Sequence, residues 1–204
     1  MPPQIPIKND PSANDRLFDS VRRDKEREVK GGHDGTMVAH PDLVAFATEI
    51  FDQHMPRANQ LDRSPDGIEV STADLLQVPK GKITEAGLRE NIRVAIEYMA
   101  AWMGGNGCIS LDNLVEDAAT AEISRAQLWQ WFHHATGILD EGQNVSVDLF
   151  KACIELELTN IKAALSEVSF EMGGYRDAAN HLEQLTLADE FAPFLTTILY
   201  DHLN

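Results

Sequence analysis

The segment 56–83 is rich in proline, glycine, asparagine, aspartate and serine, and it lies between two stretches of regular apolar periodicity. Its runs PRANQLDRSPDG and VPKGK interrupt the apolar periodicity, apart from a single helical turn near 71–77. Such composition is typical of the connections between domains. We therefore predict two parts, residues 1–56 and 84–204, joined by a linker over 57–83.

The first part alternates between short apolar segments and amphipathic stretches, which is the order typical of a parallel α/β fold. The apolar segments 4–8 and 36–39 are strand candidates. The stretches 14–30 and 42–54 predict helices, the first from its mixed charges and the second from its apolar spacing. Two such units cannot complete a sheet, because a parallel strand is normally paired on both sides and covered on both faces.

The second part predicts helices alone, so the fold class is an α/β start followed by an all-α domain, mainly α overall. Thr84 is a candidate cap for a long helix that ends at the glycines beginning with Gly104. Another helix of this part is predicted to begin at a cap at Ser146 and to end at about residue 170. The remaining predicted helices cover residues 113–134, 175–187 and 189–203.

Composition excludes several classes of partner. The 204 residues include 17 basic and 33 acidic side chains, a net charge of -16, whereas a phosphate backbone is bound by clustered lysine and arginine. We expect no nucleic-acid partner and, without a run of about 18 to 20 apolar residues, no membrane partner.

Cys108 and Cys153 suggest neither a disulfide framework nor a metal site. No signal peptide or peroxisomal tripeptide is recognisable, so a cytoplasmic location is expected.

The segment 106–125 carries the most informative pattern. Asp117 is followed by Ala121, Ser124 and Leu128 at helical spacing, so a carboxylate heads a stripe of small and apolar residues. Burial raises the pKa of a carboxylate and a helix N-terminus lowers it, and a base working near neutrality needs such opposing effects. Two interpretations stay open, a catalytic base and a carboxylate that only caps the helix.

The neighbouring side chains have plainer interpretations. Glu116 and Glu122 do not lie on the stripe headed by Asp117, and we predict that both are solvated. Cys108 stands in a glycine-rich bend, where it either fills space or lines the same pocket as Asp117. Arg125 is predicted to form a surface ion pair, although it could instead hold Glu122 or Asp117 or meet an anionic ligand.

Histidines and tryptophans give weaker signals. His133 and His134 are adjacent on a predicted helix, and this spacing separates two metal ligands instead of placing them on one face. We therefore expect no metal site built from the histidines. Residues predicted to pack between helices are Trp102, Trp129 and Trp131.

Several segments resemble the A-type malate synthases of the glyoxylate cycle. The segments are QIPIK at 4–8, GHDGT at 32–36, VAHP at 38–41, NGC at 106–108, EDAATAEISR at 116–125 and WQW at 129–131. The likeness extends over essentially all of the chain but covers only the C-terminal portion of the family's length. Met37 is a departure, because a tryptophan is common there in the family.

The resemblance implies that residues 1–56 are the last strand–helix units of a (β/α)8 barrel and that 84–204 form a helical cap domain over the barrel mouth. It also implies a Claisen condensation, in which acetyl-CoA loses a methyl proton and the enolate attacks Mg²⁺-bound glyoxylate. Hydrolysis of the malyl thioester then gives malate and CoA. Within the EDAAT motif, the resemblance assigns the removal of the methyl proton to Asp117.

The resemblance further implies that the Mg²⁺ ligands, and the arginine facing the enolate oxygen, lie upstream of anything in this chain. A base without its metal and electrophile is nearly inactive, so we expect a need for an N-terminal malate synthase segment as partner. A second hypothesis is a non-catalytic helical module or truncated relic that binds a CoA-like ligand or a protein. A third is a stand-alone enzyme whose metal is held by Asp10, Asp34 or His40.

Overall fold

The computed structural model describes residues 1–64, 67–78, 80–134, 137–140 and 142–203. The backbone forms two compact units. Unit 1 comprises Met1–Pro79 with Asp112–Val115, and unit 2 comprises Lys80–Leu111 with Glu116–Asn204. The first passage from one unit to the other falls inside the segment 57–83, whose role as a linker stays a prediction.

The described part of the chain is mainly helical, as the sequence predicts. Its helices are α1 (Pro11–Lys30), α2 (Val44–His54), α3 (Thr72–Leu76), α4 (Glu85–Met103), α5 (Ala118–His133), α6 (Val147–Ala164), α7 (Glu167–Met172), α8 (Tyr175–Leu187) and α9 (Leu195–Leu199). Two short strands, β1 (Cys108–Leu111) and β2 (Leu114–Asp117), form one hairpin. Among the described helices, none combines the length and the apolar character that a membrane crossing requires.

Side-chain caps set the starts of the two longest helices in unit 2. The Thr84 hydroxyl accepts a hydrogen bond from the Gly87 amide at 3.0 Å, and α4 begins there. The Ser146 hydroxyl accepts from the Leu149 amide at 3.2 Å and begins α6. Each oxygen satisfies an amide that has no partner within its own helix. Both caps, and the end of α4 before Gly104, confirm the sequence prediction.

The two strands predicted in the first part are wrong. Residues 36–39 are irregular, and the segment 4–8 contributes one isolated bridge, between Gln4 and Leu114. Strand geometry needs neighbours that accept and donate along the whole backbone. In the described chain neither segment has parallel neighbours of this kind, so both stay irregular despite their apolar sequence.

The helix predicted from residue 113 begins later, at Ala118, because the preceding residues form the hairpin. Asp112 and Asn113 have φ angles of 49° and 61°. A two-residue type I′ turn needs this left-handed pair of conformations, and asparagine and aspartate adopt them more readily than most residues. Asp-Asn between short alternating segments was the signal for a hairpin that the helical interpretation missed.

Two further helix predictions need correction. The helix predicted from 146 to about 170 is two helices, α6 and α7, because Ser166 interrupts it and caps α7 through the Ser169 amide at 3.1 Å. The helix predicted over 189–203 is reduced to α9 and the short 3-10 turn Tyr200–His202. Local hydrogen bonding by a serine thus competes with helix continuation.

The core of unit 2 lies between α4, α5, α6 and α8, and α4 packs against each of the other three. Its apolar stripe is buried along the full length of the helix, as the periodicity predicts. Side chains at most 1% exposed in this core include Leu88, Ile92, Ile96, Leu128, Phe150 and Leu182. Burial of each such side chain stabilises the unit by roughly 1.5–3 kcal/mol.

Arg125 is fully buried, so the predicted surface ion pair is wrong. Its guanidinium donates to the Glu122 carboxylate through Nε at 2.8 Å and also through Nη2. Nη2 donates to the Ala192 carbonyl at 3.0 Å as well, and the guanidinium carbon lies 4.1 Å from the centre of the Phe191 ring. The Glu122 side chain is 21% exposed, which corrects the prediction that it is solvated.

The same face of α5 holds both ends of the segment between α8 and α9. Glu122 accepts from the Leu195 amide at 2.7 Å, and the Trp129 indole donates to the Ala188 carbonyl at 2.8 Å. With Arg125, these side chains are spaced three and four residues apart and therefore share one helix face. Trp129 thus binds backbone in addition to packing against its aromatic neighbours.

Unit 1 contains α1 and α2, which pack through Leu17, Val21 and Leu43. The partly buried Phe18 and Phe46 rings meet edge to face, with their centres 5.0 Å apart. This geometry suits the electrostatics of aromatic pairs. The core of this unit is consequently small.

Lys25 is a fully buried lysine of unit 1. Its ammonium donates to the Glu28 carboxylate at 2.9 Å, to the Thr36 hydroxyl at 2.5 Å and to the Met37 carbonyl at 3.1 Å. A buried ammonium is tolerated only when its donors are satisfied and its charge is paired. These bonds fix the irregular segment 36–39 against α1.

We expect Arg125→Met to lower the free energy of unfolding of unit 2 by about 3 kcal/mol, because it leaves Glu122 without its cation. All three tryptophans lie in unit 2, so urea unfolding followed by tryptophan fluorescence reports on that unit. As a control, Lys151→Met breaks the more exposed ion pair with Glu183 and should change stability by less than about 0.5 kcal/mol. Equal effects of the two substitutions would contradict the stabilising role of the buried Arg125–Glu122 ion pair.

The Glu28 network predicts a pH dependence in unit 1. Burial alone raises the pKa of the Glu28 carboxyl, but the Thr36 hydroxyl and the Lys25 ammonium lower it below the ordinary value of 4.5. A depressed pKa stabilises the folded state above 4.5, and this stability is lost as pH falls through the lower folded pKa. Hydrogen exchange of 36–39, corrected for intrinsic rates, should therefore accelerate in that range. Glu28→Gln should remove this pH dependence, whereas the control Glu49→Gln, at an exposed position, should leave it in place. A pH dependence that is unchanged by Glu28→Gln would refute its assignment to the Glu28 carboxyl.

Candidate active site

Asp117 is the last residue of β2 and the N-cap of α5. Its Oδ1 accepts hydrogen bonds from the Ala119 amide at 2.9 Å and from the Thr120 amide at 3.3 Å. In return, the Thr120 hydroxyl accepts from the Asp117 amide at 2.8 Å, which completes a capping box. The capping interpretation left open by the sequence therefore describes the local structure, and it fixes the orientation of the carboxylate.

Capping occupies only one oxygen of this carboxylate. Within the described part of the chain, both donors to Asp117 reach Oδ1 and none reaches Oδ2. A carboxylate oxygen without a donor keeps its lone pairs available to accept a proton. The half-buried Asp117 side chain can thus cap the helix with one oxygen and serve as a base with the other.

Glu116 is 8% exposed, so the prediction that it is solvated is wrong. That prediction assumed a helix running through this position. Glu116 instead lies in β2, where successive side chains point to opposite faces, and so it faces away from its neighbour Asp117.

Cys108 begins β1 and is exposed, so it does not fill space in a packed core. The two-residue turn at Asp112–Asn113 sets a register in which Cys108 stands opposite Asp117 in the hairpin. Directly opposed residues of antiparallel strands have Cβ atoms about 4.5–5.5 Å apart. This register brings the two side chains together, and a role for Cys108 in lining a pocket stays a prediction.

Tyr98 is a residue of this region that the sequence analysis missed. It lies on α4, is 1% exposed, and its hydroxyl donates to the Gly107 carbonyl at 3.3 Å. Burial raises the pKa of this phenol above its ordinary value of 10.0, and the charges of Asp117, Cys108 and Glu122 raise it further. The phenol stays protonated at neutral pH and acts as a donor. Its signal in the sequence was a polar hydroxyl within an otherwise apolar helix stripe.

A cavity of about 870 Å³ lies elsewhere in unit 2, beside the C-terminal end of α4 and along α8. Its polar lining includes Asn106, Asp177, Asn180, His181, Gln184 and His202. The rings of His181 and His202 are 4.3 Å apart. Burial lowers the pKa of His181, and the neighbouring His202 lowers it further while Asp177 opposes this. Of the described lining residues, none is Asp117 or Cys108, so this cavity is separate from the hairpin.

The described residues contain no group of three or more histidine, cysteine, aspartate or glutamate side chains that could hold a metal ion. Asp10 and His40 cap the first turns of helices, and Asp34 accepts a hydrogen bond from the Gln60 amide at 2.6 Å. These donor sets do not fit a Mg²⁺ site. The hypothesis of a stand-alone metal enzyme therefore gains no support from the described chain.

Two domain families match this chain. Residues 1–78 match the family described as malate synthase, TIM barrel domain, and residues 82–203 match malate synthase, C-terminal. The two matches meet within the segment predicted as a linker. The described part of unit 1 does not itself form a barrel, in line with its α-helices α1, α2 and α3 and its irregular segments.

Malate synthase of Myxococcus xanthus is 50% identical over 200 residues, which cover 98% of this chain and 37% of that protein. Malate synthase of Arabidopsis thaliana is 43% identical over 208 residues, covering 100% and 37%. The bifunctional glyoxylate cycle protein of Caenorhabditis elegans is 46% identical over 203 residues, covering 100% and 21%. This chain thus spans 37% or less of the length of these relatives. With both family matches, these identities show that the chain belongs to the malate synthase family of acyltransferases.

Proposed function

We propose that this chain supplies the proton-abstracting base and the C-terminal domain of a malate synthase. In this reaction acetyl-CoA and glyoxylate condense, and hydrolysis of the thioester gives malate and CoA. The main support is the geometry of Asp117. Its Oδ1 is fixed by the helix cap, whereas its Oδ2 has no donor in the described chain. Further support is the family membership of the chain and the EDAAT segment around this residue.

The chemistry needs a base whose position is fixed. The methyl group of a thioester is a weak acid, so the base must be held within hydrogen-bond reach of the proton that it removes. Oδ2 of Asp117 takes this proton, the methyl C–H bond breaks, and its electron pair forms the enolate. The capping amides of Ala119 and Thr120 prevent the carboxylate from turning away during this step.

The enolate also needs an electrophile and preorganised positive charge. We propose that these groups, the bound glyoxylate and Mg²⁺ belong to a malate synthase segment outside these 204 residues. The described residues do not fit a Mg²⁺ site, and the relatives are much longer than this chain. The chain would then work as one part of a complex, with acetyl-CoA and glyoxylate as substrates.

We expect malate formation only when this chain is mixed with the separately produced N-terminal segment of the Myxococcus xanthus relative, the part that precedes the matched region. Asp117→Asn should lower kcat of the mixture by about a thousand-fold, because the amide cannot accept the proton. Asparagine caps helices as well as aspartate, so the fold should be retained. Asp148→Asn, in the exposed first turn of α6, is the matched control and should leave kcat unchanged.

Two outcomes would contradict this assignment. Activity that survives Asp117→Asn would show that another group removes the proton. A silent mixture in which both parts are folded and associated would favour the alternative of a non-catalytic helical module, and calorimetry with CoA would then test its ligand.

Mg²⁺ titration provides an independent check. We expect no saturable Mg²⁺ binding in calorimetry of this chain alone, and binding when the N-terminal segment is present. Removal of Mg²⁺ with a chelator should abolish malate formation, because an enolate condensation loses several kcal/mol of stabilisation without its metal. Tight, stoichiometric Mg²⁺ binding by the chain alone would overturn the placement of the metal.

A further inference from the structure

We propose that Tyr98 is a positioning residue for the base, because its buried hydroxyl anchors the turn from which the hairpin carrying Asp117 begins. The inference rests on the proposed function of Asp117. It adds a residue of α4 that contributes to the reaction through the backbone, without touching the substrate.

The Tyr98 side chain is packed in the hydrophobic core of unit 2. Tyr98 is 1% exposed and stands on α4 between the fully buried residues Ile96 and Met99. Because α4 packs against α5, α6 and α8, its side chains in the core have little freedom to change rotamer. The hydroxyl is therefore held at a fixed point relative to the helical core.

The Tyr98 hydroxyl anchors the end of the turn between α4 and β1. The amides of Gly105 and Asn106 donate to carbonyls at the end of α4, at 2.9 Å each. The next residue is Gly107, whose carbonyl accepts from Tyr98 immediately before β1 begins at Cys108. The hydrogen bond from Tyr98 thus links the helical core to the residue that immediately precedes β1.

The register of the hairpin connects the start of β1 with Asp117. Cys108 stands opposite Asp117, so a displacement of the start of β1 is transmitted across the strand pair to the base. Burial raises the pKa of the Tyr98 phenol, and the charges of Asp117, Cys108 and Glu122 raise it further. The protonated phenol remains a donor to Gly107 when the base is ionised.

Displacement of a catalytic group by about 1 Å can lower a rate by about 100-fold. Loss of the anchor should therefore slow proton transfer more than it affects the binding of glyoxylate. Proton transfer has its own signature, because replacing the methyl hydrogens of acetyl-CoA by deuterium slows only the step that breaks the C–H bond.

The test uses Tyr98→Phe, which keeps the ring and removes the hydroxyl, in the mixture with the N-terminal segment. We expect kcat to fall about 10- to 100-fold, KM for glyoxylate to stay unchanged, and the deuterium isotope effect on kcat to rise. Tyr200→Phe, at an exposed tyrosine of the same unit, is the control and should change none of the three. Far-UV circular dichroism and the Tm of each variant check that it is folded.

A merely structural role would reduce the amount of folded protein and lower kcat with an unchanged isotope effect. This result, or no fall in kcat, would overturn the proposal. Hydrogen exchange of the full chain alone gives a readout without activity: the segment 104–111 should exchange faster in Tyr98→Phe, and α8 should not. If the unsubstituted mixture is inactive, the proposed function fails, and unchanged exchange at 104–111 would separately refute the anchor.

Discussion

The two-residue turn at Asp112–Asn113 determines the geometry of the candidate site. Its left-handed backbone fixes the register of the hairpin, so that Cys108 lies opposite Asp117 and β2 ends where α5 begins. A slip of one residue would exchange the two faces of β2 and direct Glu116 to the side now occupied by Asp117. The identity of the carboxylate at the head of α5 therefore follows from the conformation of the turn.

In each unit, a buried cationic side chain donates a hydrogen bond to a segment that is neither helix nor strand. In unit 1, Lys25 donates to the Met37 carbonyl and is paired with Glu28; in unit 2, Arg125 donates to the Ala192 carbonyl and is paired with Glu122. A segment without helix or strand partners must satisfy its polar groups elsewhere. The buried cations do so, and the adjacent carboxylates offset the cost of burying their charge. The apolar cores alone would leave these segments without directional contacts.

Features that depend on neighbouring residues could be predicted from the sequence, and those that depend on distant ones could not. The sequence predicts the cap at Thr84, because this cap is set within one helical turn. The apolar character of segment 36–39 predicts a strand, but strand formation also needs pairing partners, which the local sequence does not reveal. Burial of Arg125 depends on Ala192, which is 67 residues away in the sequence. Asp117 can be selected as a candidate from the sequence because the helical spacing of the residues after it is a local pattern. The hairpin before it could not be predicted, because the same helical pattern suggests that the helix begins earlier.

The two requirements on position 117 together select one residue type. An N-cap favours serine, threonine, aspartate or asparagine, whose short side chains reach back to the first amides of the helix. Removal of a methyl proton requires a group that accepts a proton near neutral pH, which excludes the hydroxyls and the amide. Glutamate accepts a proton but is not among the favoured caps. Aspartate alone among these residue types meets both requirements of the proposed role: Asp117 caps through Oδ1, and Oδ2 has no donor within the described residues. Under the proposed function, this cap holds the base still, so capping by Asp117 does not argue against catalysis.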